Sequence, residues 1–99
     1  MKSKKADLPS WAFFSNHGHT IVLIARNGLQ TMREMAAQVG VTERAMIRII
    51  SDLERDNYIK KIKIGRNNSY RVNKNGKFRH PIEHPFLISA VLDVLTAES

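Results

Sequence analysis

Residues 31–56, TMREMAAQVGVTERAMIRIISDLERD, hold the outline of two helices with a bend marked between them. Thr31 and Glu34 have capping-box spacing: the hydroxyl takes a backbone N–H at a helix start, and the carboxylate reaches back to another. The spacing predicts a short helix to Gln38, with Met32, Met35 and Ala36 on one side. Gly40 breaks it. Thr42 is placed to cap the next helix, with Val41 and Met46 at the two positions of a hydrophobic staple. Ala45, Met46, Ile49, Ile50 and Leu53 then recur at 3.6-residue spacing, so one face is core. The helix should end near Asp56-Asn57, where asparagine tolerates the left-handed conformation.

Upstream, Ser15 or Asn16 can cap a helix that carries Ile21, Val22, Leu23, Ile24 and Ala25 and runs to about Arg26. Asn27-Gly28 is expected to stop it with a left-handed cap. Downstream, the period switches from 3.6 to 2. Lys61-Ile62-Lys63-Ile64 and Ser69-Tyr70-Arg71-Val72 alternate, as half-buried strands do, around the turn-forming Gly65-Arg66-Asn67-Asn68. A β-hairpin over 59–72 follows. A last helix is expected over Phe86–Thr96, after His80-Pro81 and His84-Pro85, where each proline biases its predecessor away from helix.

Helix, short helix, glycine turn, helix and basic hairpin is the order of a winged helix-turn-helix, mainly α with a β-hairpin wing (α+β). Two helices crossing steeply need a small residue at the crossing, a glycine in the turn and apolar positions facing a shared core. Ala36, Gly40, Met35, Val39, Val41, Met46 and Ile49 supply these in register. Over roughly Trp11–Val72 the chain therefore resembles the winged-helix transcriptional regulators of the MarR and ArsR type. The resemblance implies a homodimer that controls genes from palindromic DNA sites, often under a small ligand. Two departures stand out: there are no cysteines for the thiolate metal sites of the ArsR group, and the chain is shorter than typical MarR proteins.

Charge points the same way. Among 99 residues, 16 Lys and Arg against 9 Asp and Glu give a formal net charge of +7. Such a balance favours polyanions through counterion release, nucleic acid first. Between Asp56 and Glu83 there is no acidic residue, yet half of all the basic ones fall there. On the third helix, 42–56, the core face leaves Arg44, Arg48, Ser51 and Arg55 along an exposed stripe. Arginine bidentate to guanine is the commonest specific base contact, and a helix entering the major groove N-terminus first suits the acidic Asp52, Glu54 and Asp56 at its far end. The plain alternative is that Arg48 pairs with Asp52 and Arg44 is solvated. Thr42 and Glu43 lie at the leading end, Thr42 as a cap more than a base reader. Ile47 reads best as a core-edge residue that could otherwise touch a thymine methyl. In the hairpin, Arg66 at the tip is placed for the minor groove, while Lys61, Lys63 and Arg71 would flank phosphates, which position a protein without specifying sequence.

Other classes find less support. The longest uninterrupted apolar run, Ile21–Ala25, is far from the roughly 20 residues that span a bilayer, so no membrane segment and a cytoplasmic location at the nucleoid are expected. No cofactor is called for. His17, His19, His80 and His84 invite a metal, but zinc wants three or four ligands in fixed geometry, and Pro81 and Pro85 interrupt the one suitable spacing. No serine, histidine and acid set has supporting context, so an enzyme is not expected.

The chain divides into a basic flexible arm (1–10), a DNA-binding domain (11–78) and a C-terminal helical element (79–99). In Phe86–Leu95 only Ser89 and Asp93 are polar. A helix apolar on most sides is buried on most sides, and a body this small covers one face. The other face is expected to meet a second copy, through Phe86, Leu87, Val91, Leu92 and Leu95, joined by Trp11, Phe13 and Phe14. The competing reading is a winged helix used as a protein-interaction module without DNA, since the fold serves both.

Overall fold

The computed structural model describes residues 8–64, 67–84 and 86–96. In chain order these form α1 (Asn16–Arg26), α2 (Met32–Val39), α3 (Glu43–Arg55), β1 (Ile59–Ile64), β2 (Asn67–Val72) and α4 (Ile88–Leu95). The bend between α2 and α3 is built by local capping. The Thr31 hydroxyl accepts from the Glu34 N–H at 3.1 Å, and the Glu34 carboxylate accepts from the Thr31 N–H at 2.8 Å. Gly40 ends α2 with φ +92°, a left-handed conformation that costs a side-chain-bearing residue. Two residues later the Thr42 hydroxyl accepts from the Ala45 N–H at 3.0 Å and starts α3. Asn57, φ +65°, turns the chain out of α3 as its sequence suggests.

The core lies where α1, α2, α3 and the hairpin meet. Ile24, Met35, Ala36, Val39, Met46, Ile49, Ile50, Leu53, Ile59 and Tyr70 are buried together. Each large side chain withdrawn from water contributes roughly 1.5–3 kcal/mol before the entropy of ordering it is counted. Thr20 is the one buried polar side chain among the described residues. Its hydroxyl donates to the Asn16 carbonyl at 2.8 Å and lies 3.7 Å from the Met46 sulfur, so it meets α3 without an unsatisfied group.

Three local expectations are corrected. First, α1 does not end on a left-handed cap: Asn27 is extended, φ −158° and ψ 102°. Gly28 serves a different purpose. Its carbonyl accepts from the Tyr70 N–H at 2.9 Å, and a β-carbon there would collide with the Tyr70 carbonyl oxygen. The loop after α1 is thereby held against β2.

Second, the strands are longer than their alternation suggests. Pairing runs from Ile59↔Val72 to Ile64↔Asn67, so Asn67 and Asn68 belong to the ladder and not to the turn. This register also sets the faces, because successive residues of a strand point to opposite sides. Ile59, Tyr70 and Val72 share the core-facing side with Lys61 and Lys63. Ile62 sits opposite Ser69 on the other side, beside the Lys60–Arg71 pair.

Third, α4 starts at Ile88, not Phe86. The chain from Gly76 to Phe78 pairs antiparallel with Phe86 to Ile88: Phe78 N–H donates to the Phe86 carbonyl at 3.1 Å, and Ile88 N–H to the Gly76 carbonyl at 2.9 Å. That second bond satisfies a helix-start N–H without a capping side chain, and Leu87 provides none. α4 then lays Ile88 and Leu92 inward, while Arg26 of α1 donates to the Leu95 carbonyl at 3.1 Å. Three helices with a steep bend, a two-stranded hairpin and a C-terminal helix make an α+β winged helix-turn-helix.

Candidate nucleic-acid interface

Helix α3 is buried on one face by Met46, Ile49, Ile50 and Leu53, which leaves Arg44, Ile47, Arg48 and Ser51 exposed on the other. Arg48 does not pair with Asp52. Among the described residues neither Arg44 nor Arg48 has a carboxylate within ion-pair distance. Two like charges one helical turn apart repel mildly, and an anion between them would relieve this.

The other end of α3 is built differently. Asp52 Oδ2 lies 2.9 Å from His17 Nε2 of α1, and Asp52 Oδ1 lies 3.2 Å from Arg55. The His17 hydrogen bond, with the Arg55 charge behind it, holds the Asp52 carboxyl below its usual pKa. Asp56 takes Arg55 at 3.4 Å and Arg79 at 3.8 Å. By hydrogen bond and charge, Asp56 raises the Arg55 guanidinium further above its already high value. The stretch Asp52–Asp56, which reads as a solvated helix end in sequence, is therefore a junction joining α3 to α1 and to the segment after β2. Arg55 shares the stripe of Arg44 and Arg48 by spacing, but its charge is already engaged. Along α3, the two cations without partners among the described residues, Arg44 and Arg48, sit in the N-terminal half and the one paired cation, Arg55, in the C-terminal half.

At the leading end, the Thr42 hydroxyl is occupied as the cap. Glu43 stands in the first turn, where a carboxylate complements the helix dipole, with Arg33 of α2 at 4.0 Å. Ile47 is 52% exposed, so it is not a core-edge residue.

In the hairpin, Lys61, Lys63 and Arg71 are exposed, and Arg66 lies outside the described residues. Lys60 is directly opposite Arg71, a juxtaposition of like charges that disfavours the pair unless an anion is near. Sequence reading passed over Lys60 as a site residue because only the strand register shows what it faces.

A second exposed region is apolar. Trp11 and Phe13 are 78% and 88% exposed, and the rings of Phe13 and Phe14 meet edge to face at 5.1 Å. Trp11 and Phe14 line one groove with Val22 and Leu23 of α1 and with Leu95, which puts the aromatic segment and the end of α4 on one side of the molecule. Of the residues expected to pair copies, Phe86 and Leu87 are exposed, Val91 and Leu95 half-buried, and Leu92 is buried within the protomer. Val94, absent from that expected set, is 74% exposed.

Two of the four histidines are separately engaged. Besides His17, His80 Nδ1 accepts from the Ile82 N–H at 3.1 Å and stands 3.9 Å from Glu83. Among the described residues no three His, Cys, Asp or Glu side chains gather as a metal site, and no helix is long and apolar enough to cross a membrane.

This arrangement defines a class of protein. Residues 20–60, from Thr20 in α1 to Lys60 in β1, match the winged helix-turn-helix DNA-binding family. The match covers the bend and the arginine-bearing helix and stops at the start of the hairpin. Comparison with curated proteins and with solved structures gave no match.

Proposed function

We propose that this protein is a sequence-specific regulator of transcription that binds double-stranded DNA as a homodimer, in the manner of the MarR and ArsR regulators it resembles. In this reading α3 enters the major groove by its N-terminal half. Arg44, Arg48 and Ser51 reach base edges, Glu43 stands beside them, and Thr42 holds the helix start. Lys61, Lys63 and Arg71 contact phosphates, joined by Lys60, and Arg66 lies toward the minor groove. Arg55 contributes through the fold, since Asp52 and Asp56 already hold it.

The observation that carries this reading is the arginine pair of α3. Arg44 and Arg48 stand exposed and like-charged, with no carboxylate partner among the described residues, on the second helix of the helix-turn-helix, which in that motif lies in the major groove. The hairpin adds cations from an acid-free stretch, Lys61 and Lys63 on one side and Lys60 and Arg71 on the other. Nothing in this function calls for catalysis or a cofactor, and its place is with the DNA of the cytoplasm.

Fluorescence anisotropy with random-sequence duplex DNA across a salt series, alongside sedimentation, tests it. Binding that weakens steeply with salt, at two protomers per site, is the expected result. Absence of binding at low salt would leave the fold serving as a protein-interaction module, for which the exposed Trp11, Phe13 and Phe86 supply the surface.

A further inference from the structure

Ile47 is a large β-branched side chain, half exposed, on the face of α3 that otherwise carries Arg44, Arg48 and Ser51. The interior of the domain does not claim it. Buried Met46 and Ile49 flank it in sequence and point to the core, whereas Ile47 stands one residue before Arg48 and three after Arg44. A lone exposed isoleucine is unremarkable on most surfaces. Here it borders Arg44, Arg48 and Ser51 on the one helix face proposed to meet base edges, where DNA offers an apolar side chain one matching feature. In the major groove the only apolar group presented by any base is the thymine 5-methyl.

We infer that Ile47 is a specificity-determining residue that reads the thymine methyl, in a site where that thymine neighbours a guanine contacted by Arg44 or Arg48. The inference rests on the proposed docking of α3 in the major groove and adds to it a base preference. With a rise of 1.5 Å per residue, Ile47 and Arg48 start within about one base-pair step of each other along the helix axis, close enough for the two readouts to fall on neighbouring pairs. The preferred half-site is thus a mixed G/T sequence, and its thymine is recognised by a group that carries no hydrogen-bonding atom. Removing that methyl while keeping the base pair should be felt by Ile47 alone.

The test begins by selecting preferred sites with the wild-type protein from duplexes randomised across two successive major grooves. Each thymine of the selected duplex is then replaced singly by deoxyuridine, which pairs identically and lacks the methyl. One substitution per half-site should weaken wild-type binding about fourfold, the worth of about one methyl group removed from water. Ile47→Ala should bind the thymine duplex more weakly and lose the thymine-over-uracil preference, while keeping the wild-type salt dependence and melting temperature. Wild-type binding indifferent to uracil at every position would overturn the inference, as would an Ile47→Ala variant that still discriminates. In both cases salt-dependent duplex binding would remain, so the DNA-binding reading would stand. A wild-type protein that selects no duplex would overturn both readings together.

Discussion

Arg44 and Arg48 carry the sharpest residue-level consequence. Among the described residues their charges meet no carboxylate, so replacing either with alanine removes no ion pair that holds the fold together. Arg44→Ala and Arg48→Ala should each weaken binding to a selected duplex by about 1–3 kcal/mol and broaden base preference, while the melting temperature holds or rises slightly. Anisotropy and thermal melts on the same samples check this, and unchanged affinity in the double variant would remove α3 from the interface. Lys63→Ala should behave differently, weakening all duplexes alike and lowering the salt slope by about one. At this scale the sequence was readable wherever the face of α3 followed from its own period, as it does for Met46, Ile49, Arg44 and Arg48. It misled where a partner lay elsewhere in the chain. The period leaves Arg48 and Arg55 equally free to meet Asp52, and His17 of α1 together with Arg55 takes that carboxylate.

At the level of elements, α3 is held at both ends. Its N-terminus depends on the Thr42 hydroxyl, and Thr42→Ala should cost about 1 kcal/mol of stability, largely recovered by Thr42→Ser. Its C-terminal half depends on Asp52. That carboxyl has a folded-state pKa below its usual 3.8, so its ionised form is favoured by folding. The stabilisation is present above the usual value and fades as pH falls through the lowered one. Asp52→Asn should therefore melt below wild type at neutral pH, and the gap should close on the acid side of pH 3.8; a gap equal at every pH would show that the charge of Asp52 adds nothing to the His17–Asp52–Arg55 junction. Gly28→Ala should destabilise more than an ordinary loop substitution, because the new β-carbon cannot coexist with the Tyr70 carbonyl. Most local caps were legible: Ser15, the Thr31 and Glu34 box, Gly40, Thr42 and Asn57 all end or begin helices as their types suggest, whereas Asn27 is extended because the loop at Gly28 is bound to Tyr70. The hairpin faces and the start of α4 were not. Lys61-Ile62-Lys63 alternates whichever side is inward, and only pairing with Tyr70 and Val72 chooses the side. Phe86 and Leu87 extend an apolar helical pattern, yet the Phe86 carbonyl accepts from the Phe78 N–H and the Ile88 N–H donates to the Gly76 carbonyl, so this stretch pairs before the helix starts.

Across the whole molecule, exposed side chains divide by chemistry: cations on α3 and the hairpin, and large apolar groups at Trp11, Phe13, Phe86 and Val94. A body whose net charge is +7 keeps copies apart unless apolar contact or a shared polyanion offsets the repulsion. The apolar surface can supply the first and an operator the second. Because α4 turns Ile88 and Leu92 inward to anchor itself, Val94 is free to face another molecule without any change in the protomer core. In the proposed docking a twofold dimer sets two copies of α3 in successive major grooves about 34 Å apart, and self-association through this side would then be tied to affinity for palindromic sites. Val94→Lys tests that tie, since a lysine in the last turn of α4 suits the helix dipole and touches no buried side chain. The variant should melt as the wild type does, sediment as a monomer where the wild type is a dimer, and lose affinity for a palindromic duplex far more than for an isolated half-site. Trp11→Ser should do the same if the aromatic segment shares the interface, because Trp11 and Leu95 already line one groove. Variants that both remain dimeric would move the contact away from this side. A wild type that is monomeric even on a palindromic duplex would leave each protomer reading its half-site alone.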